Sequence, residues 1–283
     1  HNAPVWAGLA LIGALLHAFN HALFKSLLFL GAGAIAKATR TVDLEELGGL
    51  QSRMPVTGAA MLVACCSVAG LPLFNGFVSE WIIFRSLLAG SVLMDTRAQV
   101  ILPLTVGILA LIGGLAAACF VKVFGVAFLG RPRSNAAEQA QEVPLAMRAG
   151  LSLLASACLV IGVLPGLLLR PLVSLVQVLV PGAGVPLETV GIAHIIPIVA
   201  VIILGVSITV ALLKRRERTV RTWACGLPGL TSRMQYTSTV FSKPIRFVFS
   251  SVYRPNRRID RLPSEQPYFP SSITYRSVRT TSY

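Results

Sequence analysis

Two histidines and a lysine follow one another at intervals of four residues in the first apolar stretch of the sequence. His17, His21 and Lys25 lie within HAFNHALFKSLLFLGAG, inside an apolar stretch long enough to cross a lipid bilayer. In a helix these spacings place all three side chains on one face. An ionisable side chain at that depth costs roughly 2.5–3.5 kcal/mol on insertion scales, so its presence indicates a function, usually the movement of ions or protons.

Each of these side chains can exchange protons, and each has a structural alternative. Lys25 has apolar neighbours on both sides, which disfavours snorkelling to the membrane surface; the alternative is an ion pair that holds two helices together. The histidines can relay protons near neutral pH or can link helices through hydrogen bonds. A zinc site is disfavoured, because H-x-x-x-H lacks the glutamate of H-E-x-x-H and no third ligand is evident.

A helix interruption followed by a carboxylate is the second chemical feature. Pro72 and Gly76, within GLPLFNGFVSEW, predict a break, because proline removes a backbone donor and glycine permits the bend. Broken helices at membrane depth line cavities or pack on protein, and they form ion sites in transporters. Glu80 is therefore predicted to be the exit group of a proton path. The alternative is an ion pair with Arg85, although the i, i+5 spacing is poor on a helix.

Two further basic side chains complete the candidate set. Lys122 lies near the end of a later apolar segment, where a second proton relay and snorkelling to the membrane surface explain it equally well. Arg85 is predicted to tune the charge of Glu80. The predicted proton pathway therefore comprises His17, His21, Lys25, Glu80, Lys122 and Arg85.

The composition is that of a polytopic membrane protein. Hydrophobic residues make up 54% of the 283 positions and charged residues 13%, about half the soluble norm of ~25%. The chain has neither an initiating Met nor the basic start of a secretory signal peptide, and we expect it to be an internal piece of a longer protein. Its 5 cysteines form no C-x-x-C pair, so no iron–sulfur cluster, structural zinc or other cofactor is expected in this chain.

The apolar segments predict an all-α bundle of about six transmembrane helices, one of them broken, followed by a basic tail. The predicted spans cover about 4–37, 56–71, 73–94, 99–129, 147–170 and 193–214. Residues 1–214 would thus form the membrane bundle. Residues 215–283 are predicted to be a mostly irregular tail with short helices.

The distribution of charge predicts how the bundle is oriented. The net charge is +14, and most of it lies in the tail from Lys214 onward. The positive-inside rule places this tail and residues 131–146 in the cytoplasm, where the tail would meet lipid headgroups rather than nucleic acid. Residues 38–54, 95–98 and 171–192 would then face outside. If the third span does not cross, the orientation of everything before it inverts.

Three ordered blocks within residues 1–90 carry a resemblance to a known family. HAFNHALFKSLLFLGAG, DLEELGGLQSRMP and AGLPLFNGFVSEW resemble the antiporter-like subunits shared by respiratory complex I, Mrp-type cation/proton antiporters and membrane-bound group 4 nickel–iron hydrogenases. The tail segment from Arg221 to Tyr236 resembles the hydrogenase-4 and formate hydrogenlyase branch of that family.

The resemblance implies roles for individual residues. Lys25 matches the lysine of the family's central axis, His17 and His21 match the histidines before it, and Glu80 matches the terminal proton-exchanging group. The implied fold is a bundle with two inverted repeats, of which this chain covers the second. The first repeat, with its Glu/Lys pair, and the lateral helix and final span expected after the tail would lie outside this sequence.

The predicted function is proton translocation by a non-catalytic subunit of a redox-driven hydrogenase complex. The subunit would lie in the cell inner (plasma) membrane, bind no redox centre itself, and assemble with other membrane subunits and with a soluble nickel–iron and iron–sulfur arm. Two alternatives stay open: a complex I or Mrp antiporter subunit, and a membrane anchor for the hydrogenase arm that pumps nothing.

Overall fold

The computed structural model describes residues 3–93, 96–185, 195–213, 231–253, 256–262 and 272–278. Most of them are helical, as predicted. The helices are α1 (Ala3–Thr39), α2 (Pro55–Val68), α3 (Asn75–Leu93), α4 (Thr96–Phe128), α5 (Asn135–Glu138), α6 (Leu145–Val163), α7 (Gly166–Leu179), α8 (Ile195–Leu213), α9 (Ser238–Val248) and α10 (Ser250–Tyr253). Two strands follow, β1 (Asn256–Leu262) and β2 (Ser272–Val278).

Helix α1 packs against both α2 and α3, and the order of the contacts shows how these helices run. As the residue number falls along α1, the number of its partner rises: Gly31 lies against Met61, Asn20 bonds to Asn75, His17 contacts Ser79, and Trp6 donates to the carbonyl of Ser86. Helices α2 and α3 are therefore two segments of one path, antiparallel to α1, with an interruption between them.

The interruption covers residues 69–74 and has a local cause. Gly70 and Leu73 both have left-handed backbone angles, with φ of 63° and 75°, and Pro72 lies between them. Helix α3 then starts close to the end of α2. The two backbones lie so near each other that a Cβ at Gly76 would overlap the carbonyl oxygen of Ser67. Pro72 thus lies inside the interruption, and Gly76 lies in the first turn of α3.

Two loops predicted to face opposite sides of the membrane lie at the same end of the bundle. The Gly49 amide donates to the carbonyl of Leu129 at 3.0 Å, and Glu142 bonds to the start of α2 through Val56 and Thr57. The prediction that residues 38–54 face the side opposite residues 131–146 is therefore wrong. The physical reason is that α2 and α3 together form one interrupted span, antiparallel to α1, whereas the prediction treats them as two separate spans.

Several helices have the length and composition of membrane spans. Among the described residues, three satisfy both criteria: Pro4–Thr39, Thr96–Phe128 and Leu145–Val163. The most apolar window of α4 has no buried residue, so its apolar side chains face outward, as those of a lipid-facing helix do. The predicted span 147–170 is divided, because α6 ends at Val163 and α7 begins after Pro165.

The apolar core consists of two clusters of buried side chains on either side of residue 20 of α1. One cluster contains Ile12 and Leu16 of α1 together with Ile82 of α3. The other contains Leu27 of α1 and Phe128 of α4. The polar residues at the interruption lie between these clusters.

Residues Tyr236–Tyr283 form a separate compact unit. The Thr237 side chain accepts a hydrogen bond from the amide of Val240 at 3.3 Å and so caps α9. Strands β1 and β2 pair antiparallel, with Asn256 opposite Val278. Within the described part of the predicted tail, the strand pair replaces the expected irregular structure. The arginine-rich sequence of β1 lacks the apolar alternation that would have predicted it.

Candidate functional site

A buried pair of asparagines joins α1 to the start of α3. Asn20 and Asn75 are both fully buried. Asn20 Nδ2 donates to the carbonyl oxygen of Asn75 at 2.8 Å, and Asn75 Nδ2 donates to Asn20 Oδ1 at 3.3 Å. Buried amides that bond reciprocally in an apolar surrounding resist separation, because each would otherwise be left unpaired. The pair fixes the first residue after the interruption against the histidine-bearing helix.

His17 reaches the same segment one turn further along α3. Its Nδ1 lies 3.1 Å from Ser79 Oγ, and Ser79 Oγ lies 3.0 Å from the carbonyl oxygen of Gly76. The single hydroxyl proton can go to the Gly76 carbonyl or to His17 Nδ1, and the tautomer of His17 differs between these two arrangements. In either tautomer of the neutral ring, one nitrogen donates and the other accepts.

His21 and Lys25 continue the stripe along α1. The His17 and His21 ring centroids are 6.1 Å apart. His21 is exposed and packs edge-on against Phe24 at 5.3 Å. Lys25 Nζ lies 6.0 Å from the centre of the Phe120 ring of α4, a cation–π distance. None of the described carboxylates pairs with Lys25, so the alternative of a helix-linking ion pair is not formed within this part of the chain.

Glu80 turns back towards the interruption. Its carboxylate lies against Gly70, where a Cβ would overlap Oε2. Glu80 and Arg85 do not form an ion pair with each other or with any other described residue. The local ion pair that was weighed for Glu80 is therefore absent from the described structure, and its carboxylate is half-buried beside irregular backbone.

Lys122 is the predicted residue that the structure places apart from the stripe. It is half-buried on α4, two residues after Phe120. Two residues turn an α-helix by about 200°, so Lys122 points away from the face that meets Lys25. Its role as a second relay stays a prediction.

Three polar residues of this site were not singled out from the sequence: Asn20, Asn75 and Ser79. Their amides and hydroxyl do not titrate, so a search for titratable side chains does not select them. A signal was present, because Asn20 lies between the two histidines and Asn75 follows the Pro72 break inside an apolar run. A polar group at membrane depth needs a partner wherever it occurs.

Glu142 forms a second polar site outside the apolar helices. Its Oε2 accepts hydrogen bonds from the amides of Val56 at 2.8 Å and Thr57 at 3.2 Å, and its Oε1 accepts from Thr57 Oγ1 at 2.6 Å. It thus caps the free amides at the start of α2. Burial by itself would raise the pKa of Glu142, but the hydrogen bonds from Thr57, Val143 and Val56 outweigh it and hold the pKa below its usual value.

No metal centre emerges from the described residues, since none of their histidines, cysteines or carboxylates gather in groups of three or more. The site offers proton donors and acceptors on α1 and on the segment after the interruption.

Comparison with known proteins gives a family match and a shared fold. Residues 5–105 match the family model described as NADH:quinone oxidoreductase/Mrp antiporter, TM. The chain is 41% identical to an uncharacterised protein of Mycobacterium tuberculosis over 96% of its own length and 45% of that protein. It is 36% identical to hydrogenase-4 component B of Escherichia coli, over 91% of this chain and 40% of the other.

A solved structure has the same arrangement of helices. A chain of the membrane-bound sulfane sulfur reductase, an archaeal respiratory membrane complex, matches 87% of this chain and 40% of its own length with a TM-score of 0.68 at 24% identity. The chain spans less than half the length of each of these relatives. The tail segment Arg221–Tyr236, which resembles the hydrogenase-4 branch, lies only partly within the described residues, because residues 221–230 are outside them.

Proposed function

The chain belongs to the NADH:quinone oxidoreductase/Mrp antiporter family of membrane proteins, matched over residues 5–105, and from this premise we propose that it forms part of a proton-translocating subunit. The proposed path uses the Lys25, His21 and His17 stripe of α1 and leads to the interrupted segment that carries Glu80. Each step moves a proton between neighbouring groups or through water between them.

The observation that carries this proposal is the contact of His17 with Ser79. It brings the ionisable stripe of α1 into hydrogen-bonding contact with the helix that follows the interruption, at 3.1 Å. A neutral histidine has one donor nitrogen and one acceptor nitrogen, so it can accept a proton on one nitrogen and release one from the other. The site therefore has a relay group at the junction of the two helices.

One of the named relatives supports a hydrogenase complex as the setting. Hydrogenase-4 component B is 36% identical to this chain, so we assign the subunit to a membrane-bound hydrogenase complex of that type. Its partners would be other membrane subunits and a soluble nickel–iron and iron–sulfur arm. Redox chemistry in that arm would change the charge and hydration along the stripe.

The orientation follows from the charges at the shared loop end of the bundle. Lys37, Arg40, Arg53, Arg131 and Arg133 all lie in or beside the loops that meet there. The positive-inside rule then places this end in the cytoplasm. Gln235 accepts a hydrogen bond from the backbone amide of Arg131 at 2.7 Å. The basic tail would meet lipid headgroups.

The proposal is tested by measuring proton translocation in sealed vesicles that carry the full-length subunit in its complex. Lys25→Ala and Glu80→Gln are expected to abolish translocation while the complex stays assembled. Lys37→Ala and Glu46→Gln are matched controls, because both residues are exposed at the loop end. Electron transfer is recorded in parallel.

Two results would overturn the proposal. If Lys25→Ala and Glu80→Gln translocate protons like the two controls, these residues are structural. If the wild-type complex transfers electrons without moving protons, the subunit is an anchor for the soluble arm, and loss of the tail should then disturb assembly.

A further inference from the structure

Two polar contacts between α1 and α3 lie on neighbouring turns of both helices. Asn20 bonds to Asn75, and His17 Nδ1 lies 3.1 Å from Ser79 Oγ. His17 precedes Asn20 by one turn of α1, and Ser79 follows Asn75 by one turn of α3, so each helix presents its two polar side chains on one face. A displacement of Asn75 along α1 would therefore also carry Ser79 away from His17.

The hydrogen bonds fix the orientation of both asparagine amides. Asn75 Nδ2 faces two oxygens of the other residue, Asn20 Oδ1 at 3.3 Å and the Asn20 carbonyl oxygen at 3.5 Å. Asn20 Nδ2 faces the carbonyl oxygen of Asn75 at 2.8 Å. Turning either amide over would bring its oxygen against another oxygen, and an amide oxygen can only accept. The pair therefore has a single arrangement, which requires the observed register of the two helices.

The backbone before Asn75 does not set that register. Residues 69–74 make the hydrogen bonds of turns, such as the Phe74 amide to the Leu71 carbonyl at 3.2 Å, so no helical ladder passes from α2 into α3. The position of α3 along α1 thus depends on contacts with neighbouring helices. Apolar contacts have no preferred direction, whereas hydrogen bonds do. The asparagine pair supplies such a directional contact at the first residue of α3, beside the interruption.

We infer that Asn20 is a positioning residue for the proton step at His17. It acts through Asn75: by holding the first residue of α3 beside α1, it keeps Ser79 within hydrogen-bonding distance of His17 Nδ1. A shift of α3 by one residue would move Ser79 by about 1.5 Å along the axis and turn it by about 100°, which would break the contact. The effect on translocation rests on the proposed function, whereas the positioning of the contact does not.

Asn20→Leu removes the side-chain bonds of the pair without leaving a partner group unpaired. Asn75 Nδ2 keeps the Asn20 carbonyl oxygen as an acceptor. The Asn75 carbonyl oxygen, at the start of α3, keeps its place in the hydrogen-bond ladder of that helix. The variant is therefore expected to assemble. Asn20→Ala, which adds no bulk, tests the same contact if the leucine side chain disturbs the packing.

The first test follows the His17 ring by nitrogen NMR in vesicles that carry the full-length subunit, with isotope-labelled histidine, in its complex. The His17 signals are those that disappear in His17→Gln. Ser79→Ala is expected to shift them because it removes the hydroxyl, and Asn20→Leu is expected to shift them in the same direction. Ser86→Ala is the matched control, since Ser86 is a buried serine of α3 whose hydroxyl donates to the Ile83 carbonyl at 2.8 Å. It should leave the His17 signals in place.

The second test is a double-mutant cycle on the rate of proton translocation. Asn20→Leu and Ser79→Ala are each expected to lower the rate about fivefold, the equivalent of one hydrogen bond of about 1 kcal/mol. The double variant should also lose about fivefold, because either change already breaks the contact, rather than the roughly 25-fold of two independent effects. Ser86→Ala should retain the wild-type rate.

The outcomes separate this inference from the proposed function. His17 signals that move in Ser79→Ala but stay in place in Asn20→Leu would overturn the positioning role, and so would a double variant whose losses multiply. Signals that stay in place in Ser79→Ala would overturn the contact on which the inference depends. If the wild type moves no protons, the proposed function fails, and the NMR comparison still decides whether Asn20 positions Ser79 against His17.

Discussion

Replacing Glu142 with glutamine should destabilise the bundle by removing the cap of α2. The carboxylate accepts the Val56 and Thr57 amides through Oε2 and the Thr57 hydroxyl through Oε1. Glutamine has the same shape, but it replaces one oxygen with an NH₂ group that cannot accept from an amide. Hydrogen bonds to charged groups contribute about 1.5–3 kcal/mol and a helix N-cap about 1 kcal/mol. For this half-exposed residue we expect a loss of about 2 kcal/mol.

The dependence on pH provides the sharper measurement. Hydrogen bonds hold the pKa of Glu142 below 4.5 in the folded protein. Its contribution is therefore fully present above the pKa of the unfolded chain, and is lost as the pH falls through the folded pKa. The stability difference between wild type and Glu142→Gln should shrink from neutral pH to strongly acidic pH.

Detergent-solubilised protein, unfolded thermally or with denaturant at several pH values, provides the assay. Glu138→Gln is the matched control, because its side chain is exposed in the same loop and only its backbone carbonyl bonds to Arg53. The reasoning is refuted if Glu142→Gln is as stable as Glu138→Gln at neutral pH. It is also refuted if the deficit of Glu142→Gln persists undiminished in acid.

Two more predictions concern packing and orientation. Gly76→Ala should prevent correct folding, because its Cβ would overlap the Ser67 carbonyl. Gly113→Ala, on the open face of α4, should instead stabilise the folded protein by about 1 kcal/mol or less. Equal thermal stability of the two variants would contradict the close packing at Gly76. Single cysteines at Asp43 and Asn135, in a background without other reactive thiols, should both be labelled by an impermeant reagent from the cytoplasmic side. Labelling from opposite sides would contradict the shared loop end.

The chemistry along α1 was predictable because it depends only on spacing. Any helix through residues 17–25 places two histidines and a lysine on one face, whatever packs against it. The membrane class and the interruption were likewise local properties, since they follow from apolar composition and from Pro72. The Asn20–Asn75 pair, the contact of His17 with Ser79 and the Glu142 cap were not predictable in this way.

The tertiary structure decided which segments meet. Asn20 and Asn75 are 55 positions apart, and Glu142 lies 86 positions from Val56, so no local pattern records these contacts. From the sequence alone, the two sides of the interruption are predicted to be separate membrane spans, because each is an apolar segment long enough for a span. Only the matched contacts along α1 reveal a single antiparallel path. The physical reason is that spacing within a helix is set by the covalent chain, whereas pairing between helices is set by how their surfaces pack.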